Sequence, residues 1–584
     1  MNFKQFIENM LLEIKNSLKR FPISIILSSL CAFILIYISE LGYGMNSEIS
    51  ETLMRVVRVF SLGVPLFLCI KLFFEKFSEY KKTNLFLTYI GGAIALIFCY
   101  LFLAGDFNTI STIWYFSTIL ILYLAFLFIP HIHKESSFEL YVIKIFTNFF
   151  TTVIYSIVLY LGLCAILFTV NKLLGVNVKY QIYYYAWLIV SLVFAPCFFL
   201  AGVPYKNKTF TLKDYPKLLK ILILYIIMPL ITIYTAILYI YFIKIIITWN
   251  WPEGLVSHLV LWYSVITAAV LFFIYPFIEN NSWAKTFMRI FPNVLIPLIV
   301  MMFFSIGIRI NEYGVTENRY YVVILGLWVF LAMIYFSFCK NLKNILLPMS
   351  LAIIIFISGF GPISSYSISK YSQNKRFINI LNKNSMISEG KITPNDNIST
   401  EDKNQISNIL SYFKSKHSLN DVKYLPKNFN LENMNKTFGF SYEQSGNEYN
   451  NLISYYYYTD YRNSTPLEIK DYDYFFDSRM IIPNSYSEYP LNIEFDSDSN
   501  ILKVYDNGNE IYSKDLNDFY QKLTDKYGIT NNSEEIDSKD MIFEDENEKM
   551  KIKISFSSIS GNKDISTGKL KSHGNELYIF VKLK

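Results

Sequence analysis

Four charged residues that could bind an ion stand close together between two apolar segments of the sequence. They are Arg309, Glu312, Glu317 and Arg319. Charges at the ends of membrane helices can pair with one another, cap helix ends or attract an ionic ligand. Because charge clusters are more often structural than functional, a salt-bridged turn against which the polar part of the chain docks is favoured over a ligand-binding loop. This segment is the candidate functional loop.

A pair of arginines, Arg55 and Arg58, marks the start of another apolar segment. Their spacing of three places both side chains on one face of a helix. They could line the mouth of a pathway for anions, or their guanidinium groups could extend to the lipid headgroups, which is the favoured interpretation. No apolar segment carries Asp, Glu or Lys near its middle, which argues against ion-coupled transport without excluding it.

Other residue types that could do chemistry form weaker patterns. His131, His133 and Glu135 lack the fourth ligand of a structural zinc site. A tyrosine-rich stretch could stack on sugars, although tyrosines on strands more often complete a core. Its members are Tyr455, Tyr456, Tyr457, Tyr458, Tyr461, Tyr472 and Tyr474. The patterns G-x-x-x-x-G-K-[ST], G-x-S-x-G and H-E-x-x-H are absent from the sequence, so we assign it no catalytic residue, no cofactor and no metal.

Long apolar segments must position these residues. The chain has 584 residues, of which 53% are hydrophobic and 17% are charged, and its mean hydropathy is +0.31. About 20 apolar residues cross the hydrocarbon core of a bilayer. We predict eleven spans, an all-α polytopic membrane bundle: 21–41, 56–74, 85–104, 110–130, 147–170, 180–203, 218–247, 256–278, 290–310, 320–339 and 345–362. The segment 218–247 is long enough to tilt or to bend at Pro229, so it can be counted as one span or divided.

The distribution of Lys and Arg predicts the orientation of this bundle. The N-terminal stretch and the even-numbered loops, counted with Lys71 and Lys220 at the adjoining span ends, carry 19 of these residues. The odd-numbered loops, counted with Arg309, carry 4, or 6 with Arg55 and Arg58. Cytoplasmic loops carry the excess of positive charge. The N-terminus is therefore expected inside and, after eleven spans, the C-terminal domain outside. Residues 1–20 are expected to form an amphipathic interfacial helix, 21–366 the transmembrane domain and 367–584 an extracytoplasmic α+β domain.

Alternation and turn residues predict a mainly β, soluble C-terminal domain. Helices are expected at 373–387, 400–417 and 514–527, the second of them with Ser399 or Thr400 as its N-cap. The sequence Asp506-Asn507-Gly508-Asn509 predicts a hairpin between strands at 501–505 and 510–513. Further strands are expected at 551–557 and 577–584.

Two motifs carry a resemblance to a known family. They are Ile247-Thr248-Trp249-Asn250-Trp251-Pro252-Glu253-Gly254 and Ile308-Arg309-Ile310-Asn311-Glu312-Tyr313-Gly314-Val315-Thr316-Glu317-Asn318-Arg319-Tyr320. Weaker matches are Gly359-Phe360-Gly361-Pro362, Ser369-Lys370 and residues 551–558. The chain after about residue 130 resembles the bacterial membrane-protein family catalogued as domain of unknown function 4153. The resemblance implies a multi-pass membrane architecture and no assigned chemistry.

Three function hypotheses remain open. The leading one is a non-enzymatic protein of the bacterial cell envelope, located in the plasma membrane, whose extracytoplasmic domain senses or binds something. The alternatives are a transporter or channel, and a membrane enzyme acting on lipid-linked or cell-wall substrates. The expected partners are the lipid bilayer and an envelope component or another membrane protein. The positive charge belongs to loops between spans, so nucleic acid is not an expected partner.

Overall fold

Apolar helices make up the first part of the chain in the computed structural model of the protein. The structure describes residues 12, 14–41, 47–77, 82–102, 109–132, 138–176, 178–205, 208, 210–249, 255–339, 341–427, 429–442, 452–459, 469–477, 491–496, 499–528, 533–564 and 570–584. Residues 14–20, at the end of the predicted interfacial helix, are helical, and residues 1–11 and 13 of that helix lie outside the described residues.

The apolar helices follow one another with short connections. The first seven are α1 (Pro22–Glu40), α2 (Ser47–Lys76), α3 (Lys82–Phe102), α4 (Thr109–Phe128), α5 (Phe138–Leu174), α6 (Tyr180–Ile189) and α7 (Ala195–Ala201). The next six are α8 (Lys217–Ile221), α9 (Met228–Thr248), α10 (Leu255–Ile274), α11 (Ser282–Tyr313), α12 (Glu317–Phe338) and α13 (Leu346–Gly359). A π-helical turn joins α6 to α7, and another joins α8 to α9, so that each pair forms one continuous helix.

The prediction of a multi-pass membrane protein is confirmed. Within the described residues, nine helices are long and apolar enough to cross a membrane. Two shorter apolar helices, Leu85–Leu101 and Leu346–Gly359, lie at the remaining two predicted positions. Every predicted span therefore coincides with an apolar helix.

Of the eleven described apolar helices that coincide with predicted spans, α13 is the shortest, and it runs antiparallel to α12. Three hydrogen bonds join the two segments at successive levels: Lys343 to Tyr335, Trp328 to Ser350, and Tyr320 to Ile363. The helix itself has 14 residues, a length of about 21 Å at 1.5 Å per residue. Lys343 lies before α13 and Ile363 lies after it, and both residues bond to α12. Residues 343–363 therefore extend along most of α12.

Two of the membrane helices contain a proline just after a π-helical turn. Pro196 and Pro229 each follow such a turn. Proline lacks the N–H that would bond to the carbonyl four residues earlier, and its ring crowds that carbonyl. The wider π turn relieves this crowding. At Pro196, the freed carbonyl of Leu192 accepts a hydrogen bond of 2.6 Å from the Ser28 hydroxyl, which satisfies it from α1.

Polar helices follow the bundle directly. They are α14 (Ser365–Lys383), α15 (Thr400–Lys416) and α16 (Met434–Phe438), with a short hairpin of β1 (Ile387–Ser388) and β2 (Lys391–Ile392). Ser399 caps α15, because its hydroxyl accepts the backbone N–H of Asp402 at 3.2 Å, which confirms the predicted N-cap. These elements share a small core that includes Phe377, Phe413 and Phe438.

In the described residues after 451, the strands form two antiparallel sheets, apart from one parallel strand pair. The strands are β3 (Leu452–Tyr458), β4 (Tyr474–Asp477), β5 (Leu491–Asp496), β6 (Ile501–Asp506), β7 (Asn509–Asp515), β8 (Ser533–Glu535), β9 (Ile542–Glu546), β10 (Met550–Asp564) and β11 (Leu570–Leu583), with one helix, α17 (Asn517–Tyr527). The larger sheet has the order β4-β11-β10-β3-β8, β9 also pairs with β10, and β3 with β8 is the parallel pair. The smaller sheet has the order β5-β6-β7. The predicted fold class, a helical membrane bundle followed by a soluble, mainly β C-terminal domain, is confirmed.

The chain divides into two compact units, Met1–Glu443 and Gln444–Lys584. The first holds the bundle together with the polar helices, and the second holds the two larger sheets. The boundary predicted between residues 366 and 367 marks a change from apolar to polar sequence. That the extracytoplasmic domain begins there stays a prediction.

Candidate functional site

The candidate functional loop connects α11 to α12. Arg309 and Glu312 lie in the last turns of α11, and Glu317 and Arg319 lie in the first turn of α12. Glu312 is exposed, Arg309 and Arg319 are half-buried, and Glu317 is buried. The buried carboxylate makes its hydrogen bonds with residues of the polar helices, so the four charges do not share one set of contacts.

The turn of this loop docks against α14. The side-chain amide of Gln373 donates to the carbonyls of Tyr313 and Val315, each at 3.0 Å. The backbone N–H of Val315 donates to the Ser372 hydroxyl at 2.9 Å. Gly314, which lies between Tyr313 and Val315, has a φ of +71°. A Cβ at this position would lie 2.9 Å from Gln373 Nε2. The turn therefore requires both the left-handed backbone and the small size of glycine.

Glu317 is the centre of a buried polar cluster. Its carboxylate accepts hydrogen bonds from the Tyr412 hydroxyl at 2.7 and 2.8 Å and from the Ser369 hydroxyl at 2.8 Å. His417 Nε2 lies 2.9 Å from the same carboxylate, and the His417 side chain is fully buried. We call these four residues the Glu317 cluster. It joins the first turn of α12 to α14, α15 and the residue that follows α15.

The donors of the Glu317 cluster can be assigned from its geometry. Burial raises the pKa of Tyr412 far above its ordinary value, with a further contribution from the charge of Glu317, so its hydroxyl stays protonated and donates. His417 Nε2 faces both the carboxylate and this hydroxyl, so it carries a proton that it donates. His417 Nδ1 is buried without a hydrogen-bond partner in the part of the chain that the structure describes. The ring of His417 packs against Tyr366, with ring centroids 4.3 Å apart.

A second carboxylate extends these contacts along α14. Asp421 accepts a hydrogen bond of 3.2 Å from the Tyr366 hydroxyl and forms an ion pair with Lys370. Its backbone carbonyl accepts from the Asn374 amide at 3.0 Å. Burial and the nearby Asp421 carboxylate raise the pKa of Tyr366 to about 12, so this hydroxyl remains a donor at neutral pH.

The Glu317 cluster contains the residue types of a hydrolytic triad, but not its arrangement. In such a triad the serine hydroxyl bonds to the histidine, which takes its proton. Here Ser369 donates to Glu317 instead, and its side chain is completely buried. The hydroxyl serves to neutralise a buried charge, and what the cluster can do is hold α12 against the polar helices.

Two arginines flank the tyrosine at the end of α11. Arg319 donates to the carbonyls of Gly314 at 2.8 Å and Tyr313 at 3.3 Å, and its guanidinium carbon is 5.5 Å from the Tyr313 ring centroid. The guanidinium carbon of Arg376 is 5.8 Å from the same ring, and this side chain also donates to Gln405 at 2.9 Å. Arg319 therefore contributes to the docked turn.

Arg55 and Arg58 lie one turn apart on α2, and both are half-buried. The guanidinium carbon of Arg55 is 5.8 Å from the ring centroid of Tyr100 on α3. The backbone carbonyl of Arg58 accepts hydrogen bonds from Ser61 and from Tyr115 on α4. As the mouth of a pathway these two residues stay a prediction.

The weaker sequence candidates take separate places. His131 is buried beside Tyr141, with ring centroids 4.4 Å apart. His133 and Glu135 lie outside the described residues. Among the residues that the structure describes, no group of three or more His, Cys, Asp or Glu side chains is placed to hold a metal.

The tyrosine-rich stretch alternates along β3. Tyr455 and Tyr457 are each 2% exposed in the core of the larger sheet, whereas Tyr456 is 43% exposed. Tyr474 on β4 is 42% exposed, and Tyr461 lies outside the described residues. The buried members thus complete a core, while the exposed members lie on different strands.

Comparison with known proteins places the bundle in a family. The family model described as Domain of unknown function (DUF4153) matches residues 22–388. The chain belongs to the DUF4153 family. The part of this DUF4153 protein that the family model matches includes Glu317 and Ser369. It ends shortly after α14, so it does not include Tyr412, His417 or the second compact unit.

One relative of this DUF4153 protein is an uncharacterized protein of Pasteurella multocida (strain Pm70). It is 26% identical over 231 residues, which are 39% of this chain and 39% of the relative. The match thus spans well under half the length of the relative, whose printed name states no activity. No solved structure gives a significant match. These comparisons identify a multi-pass membrane protein of a family without an assigned function.

Sequence reasoning found Glu317 but missed its partners. Ser369 and Tyr412 lie 52 and 95 residues from Glu317 in the chain. The only available signal was the weak family match at Ser369-Lys370, and no spacing rule connects residues so far apart.

Proposed function

We propose that this DUF4153 protein is a non-enzymatic protein of the bacterial plasma membrane whose polar C-terminal part senses or binds an envelope component and whose bundle receives that signal. One observation supports the proposal above the others. The buried Glu317 cluster ties the first turn of a membrane helix to three separate parts of the polar helical region.

The chemistry of this tie favours a relay over a simple anchor. A buried carboxylate is tolerated only while its hydrogen-bond donors stay in place. Movement of α14 or α15 would remove Ser369 or Tyr412 from Glu317 and leave its charge unpaired. The start of α12 must therefore move with the polar helices or become unstable, and that dependence can transmit a signal.

The proposed orientation places the polar part outside the cytoplasm. It rests on the excess of Lys and Arg in the N-terminal stretch and the even-numbered loops. The Glu317 cluster lies at the end of the bundle where α12 begins, which this orientation makes the outer end.

Hydrogen–deuterium exchange of the full chain in detergent tests the relay. Glu317→Gln should increase exchange in the first turns of α12 and in α15 together, because the amide cannot accept from the same three donors. The matched control is Asp402→Asn. Asp402 is a buried carboxylate too, but it lies on α15 and its partners are Lys383 at the end of α14 and Asn384 directly after it. Its loss should therefore loosen α15 without affecting α12.

If Glu317→Gln loosens α15 while α12 keeps its protection, the cluster is an anchor of the polar helices and the relay proposal fails. Equal effects of both variants on α12 would also contradict it, because the response would then not depend on the Glu317 cluster.

Labelling of single cysteines in intact cells with an impermeant thiol reagent tests the orientation. The background lacks the six native cysteines, and the probes are Ser388→Cys after α14 and Ser282→Cys at the start of α11, both at exposed positions. We expect Ser388→Cys to react in intact cells and Ser282→Cys to react only after permeabilisation. The opposite pattern would invert the topology and remove the extracytoplasmic proposal.

A further inference from the structure

An open pocket lies among the ends of five membrane helices. Its walls come from the residue before α1, the last turn of α2, the end of α4, the first turn of α5 and the segment after α7. The lining residues are Arg20, Leu72, Glu75, Lys76, Pro130, His131, Tyr141, Pro204, Tyr205, Lys208 and Phe210. We call it the Arg20 pocket, and it lies within the first compact unit.

An ion pair builds one wall of the Arg20 pocket. Arg20 donates from Nε and Nη2 to the Glu75 carboxylate at 3.0 and 2.7 Å, and also to the carbonyls of Val203 at 2.6 Å and Pro204 at 3.1 Å. The guanidinium carbon lies 4.1 Å from the centroid of the Tyr205 ring. These contacts fix Arg20, which is 8% exposed, and neutralise the carboxylate that lines the pocket.

Positive charge remains after this pairing. Among the described residues that line the pocket, Arg20, Lys76 and Lys208 are cations and Glu75 is a carboxylate. Lys208 forms no close ion pair among the residues that the structure describes, although its charge helps to lower the pKa of the exposed Asp214 carboxylate. Its ammonium lies 5.8 Å from the Phe210 ring centroid. Lys71 adds a further positive charge, 3.8 Å from Glu75. Excess positive charge in a concave site attracts an anion.

An unused hydrogen-bond donor lies in the same pocket. Tyr141 is 2% exposed, and its hydroxyl has no hydrogen-bond partner among the described residues. Leaving a buried hydroxyl unpaired is unfavourable, so such groups usually have a partner when the site is complete. A ligand with acceptor oxygens would supply that partner.

We propose that the Arg20 pocket binds a phosphate-bearing anion, with the Tyr141 hydroxyl donating to a phosphate oxygen and Lys208 pairing with its charge. The shared chemistry of a free phosphate and of an anionic lipid headgroup fits these groups. The pocket lies where several membrane helices end, the level at which headgroups are found, so both sources reach it. This site is independent of the Glu317 cluster and of the proposed relay.

The experiment measures thermal unfolding of the purified, delipidated full chain. One arm adds inorganic phosphate, compared with sodium chloride at equal ionic strength. The other arm reconstitutes the protein in nanodiscs of phosphatidylglycerol, compared with nanodiscs of phosphatidylcholine. We expect a rise in Tm in at least one arm. Tyr141→Phe and Lys208→Gln should each weaken the apparent affinity about tenfold, as the loss of one charge-assisted hydrogen bond does.

Matched variants separate binding from folding. Tyr141→Phe removes an unpaired hydroxyl, so the Tm without ligand should hold or rise. Tyr215→Phe should lower that Tm and keep the full ligand response, because Tyr215 is also buried but its hydroxyl donates to Phe273 at 3.3 Å. Lys213→Gln, at an exposed lysine outside the pocket, should keep the response as well.

A response to inorganic phosphate identifies a soluble anion, and a response to phosphatidylglycerol alone identifies a lipid headgroup. Either response supports the site when Tyr141→Phe and Lys208→Gln each shift it to about tenfold higher ligand concentration. The proposal is overturned if neither probe raises the Tm, or if these two variants respond as the unmodified chain does.

Discussion

The buried carboxylate of Glu317 shows how single residues connect the membrane helices to the polar helices. Two hydroxyl groups and an imidazole face it, which compensates for the water that burial removes. The contacts of Gln373 and Ser372 hold the turn between α11 and α12 against α14. The salt-bridged turn that the sequence favours over a ligand-binding loop stays a prediction. A role of Arg309, Glu312 and Arg319 in ligand binding stays a prediction.

Replacing Glu317 should destabilise the first compact unit. Glu317→Gln leaves Tyr412, Ser369 and His417 without the anion they surround, at a cost of about 2 kcal/mol in the free energy of unfolding. Glu312→Gln, five residues earlier and exposed, should change it by less than about 0.5 kcal/mol. Thermal unfolding in detergent measures the loss of stability in both variants. An equal loss in the two would show that burial of Glu317 does not contribute to the free energy of unfolding.

Gly314 gives a second prediction about one residue. Gly314→Ala would place a Cβ 2.9 Å from Gln373 Nε2 and force a φ of +71° on alanine, so we expect a loss of about 1–2 kcal/mol. Gly307→Ala is the control, because Gly307 is helical and a Cβ there meets nothing within 4 Å. Its Tm should hold or rise, and a similar loss in both variants would contradict the role given to the turn.

The first turn of α15 shows how an element combines local and distant signals. The Ser399 cap is local and was predictable, since serine before an acidic first turn is a typical helix start. The partners of Asp402 were not predictable, because Lys383 is the last residue of α14 and Asn384 follows it, about twenty residues earlier in the chain. The side chain of Asp402 is therefore both a helix-terminus charge and a link between two helices.

This link predicts a pH dependence of stability. Burial opposes the charge of Asp402, but hydrogen bonds from Lys383 and Asn384 outweigh it and lower its pKa below the ordinary 3.8. As the pH falls, the unfolded chain takes up this proton first, so the stabilisation is present above about pH 4 and is lost below it. Unfolding of Asp402→Asn between about pH 3 and pH 6 should show a weaker acid dependence than the unmodified chain. Glu401→Gln, at its exposed neighbour, should retain that dependence; if it does not, the effect belongs to the helix terminus and not to the link.

At the scale of the whole molecule, the chain consists of two compact units that bury their apolar side chains in different ways. The first unit contains the apolar helices that are long enough to cross a membrane, and many of their large apolar side chains are exposed on the protein surface. The second has its own core, in which Ile554, Phe556 and Ile579 are fully buried between its strands and α17.

The second unit should therefore fold by itself. Residues 444–584, expressed alone, should give a soluble protein with a cooperative thermal transition, since a segment of this size can bury its own core. Phe556→Ala should lower the free energy of unfolding by about 3–5 kcal/mol and abolish folding at 37 °C. A segment 444–584 without a cooperative transition would show that its core depends on the first unit.

The sequence by itself determined the apolar helices, the Asn507-Gly508 hairpin and the Ser399 cap. Each of these depends on interactions within a few residues: a span must match the thickness of the hydrocarbon core, and the hairpin turn needs positive φ, which is 48° at Asn507 and 82° at Gly508. Only the tertiary structure decided that β3 pairs with both β10 and β8, that Glu317 meets Ser369 and Tyr412, and that five separate segments enclose the Arg20 pocket. Such contacts join residues far apart in the chain, and packing selects them without leaving a periodic or local signal in the residues themselves.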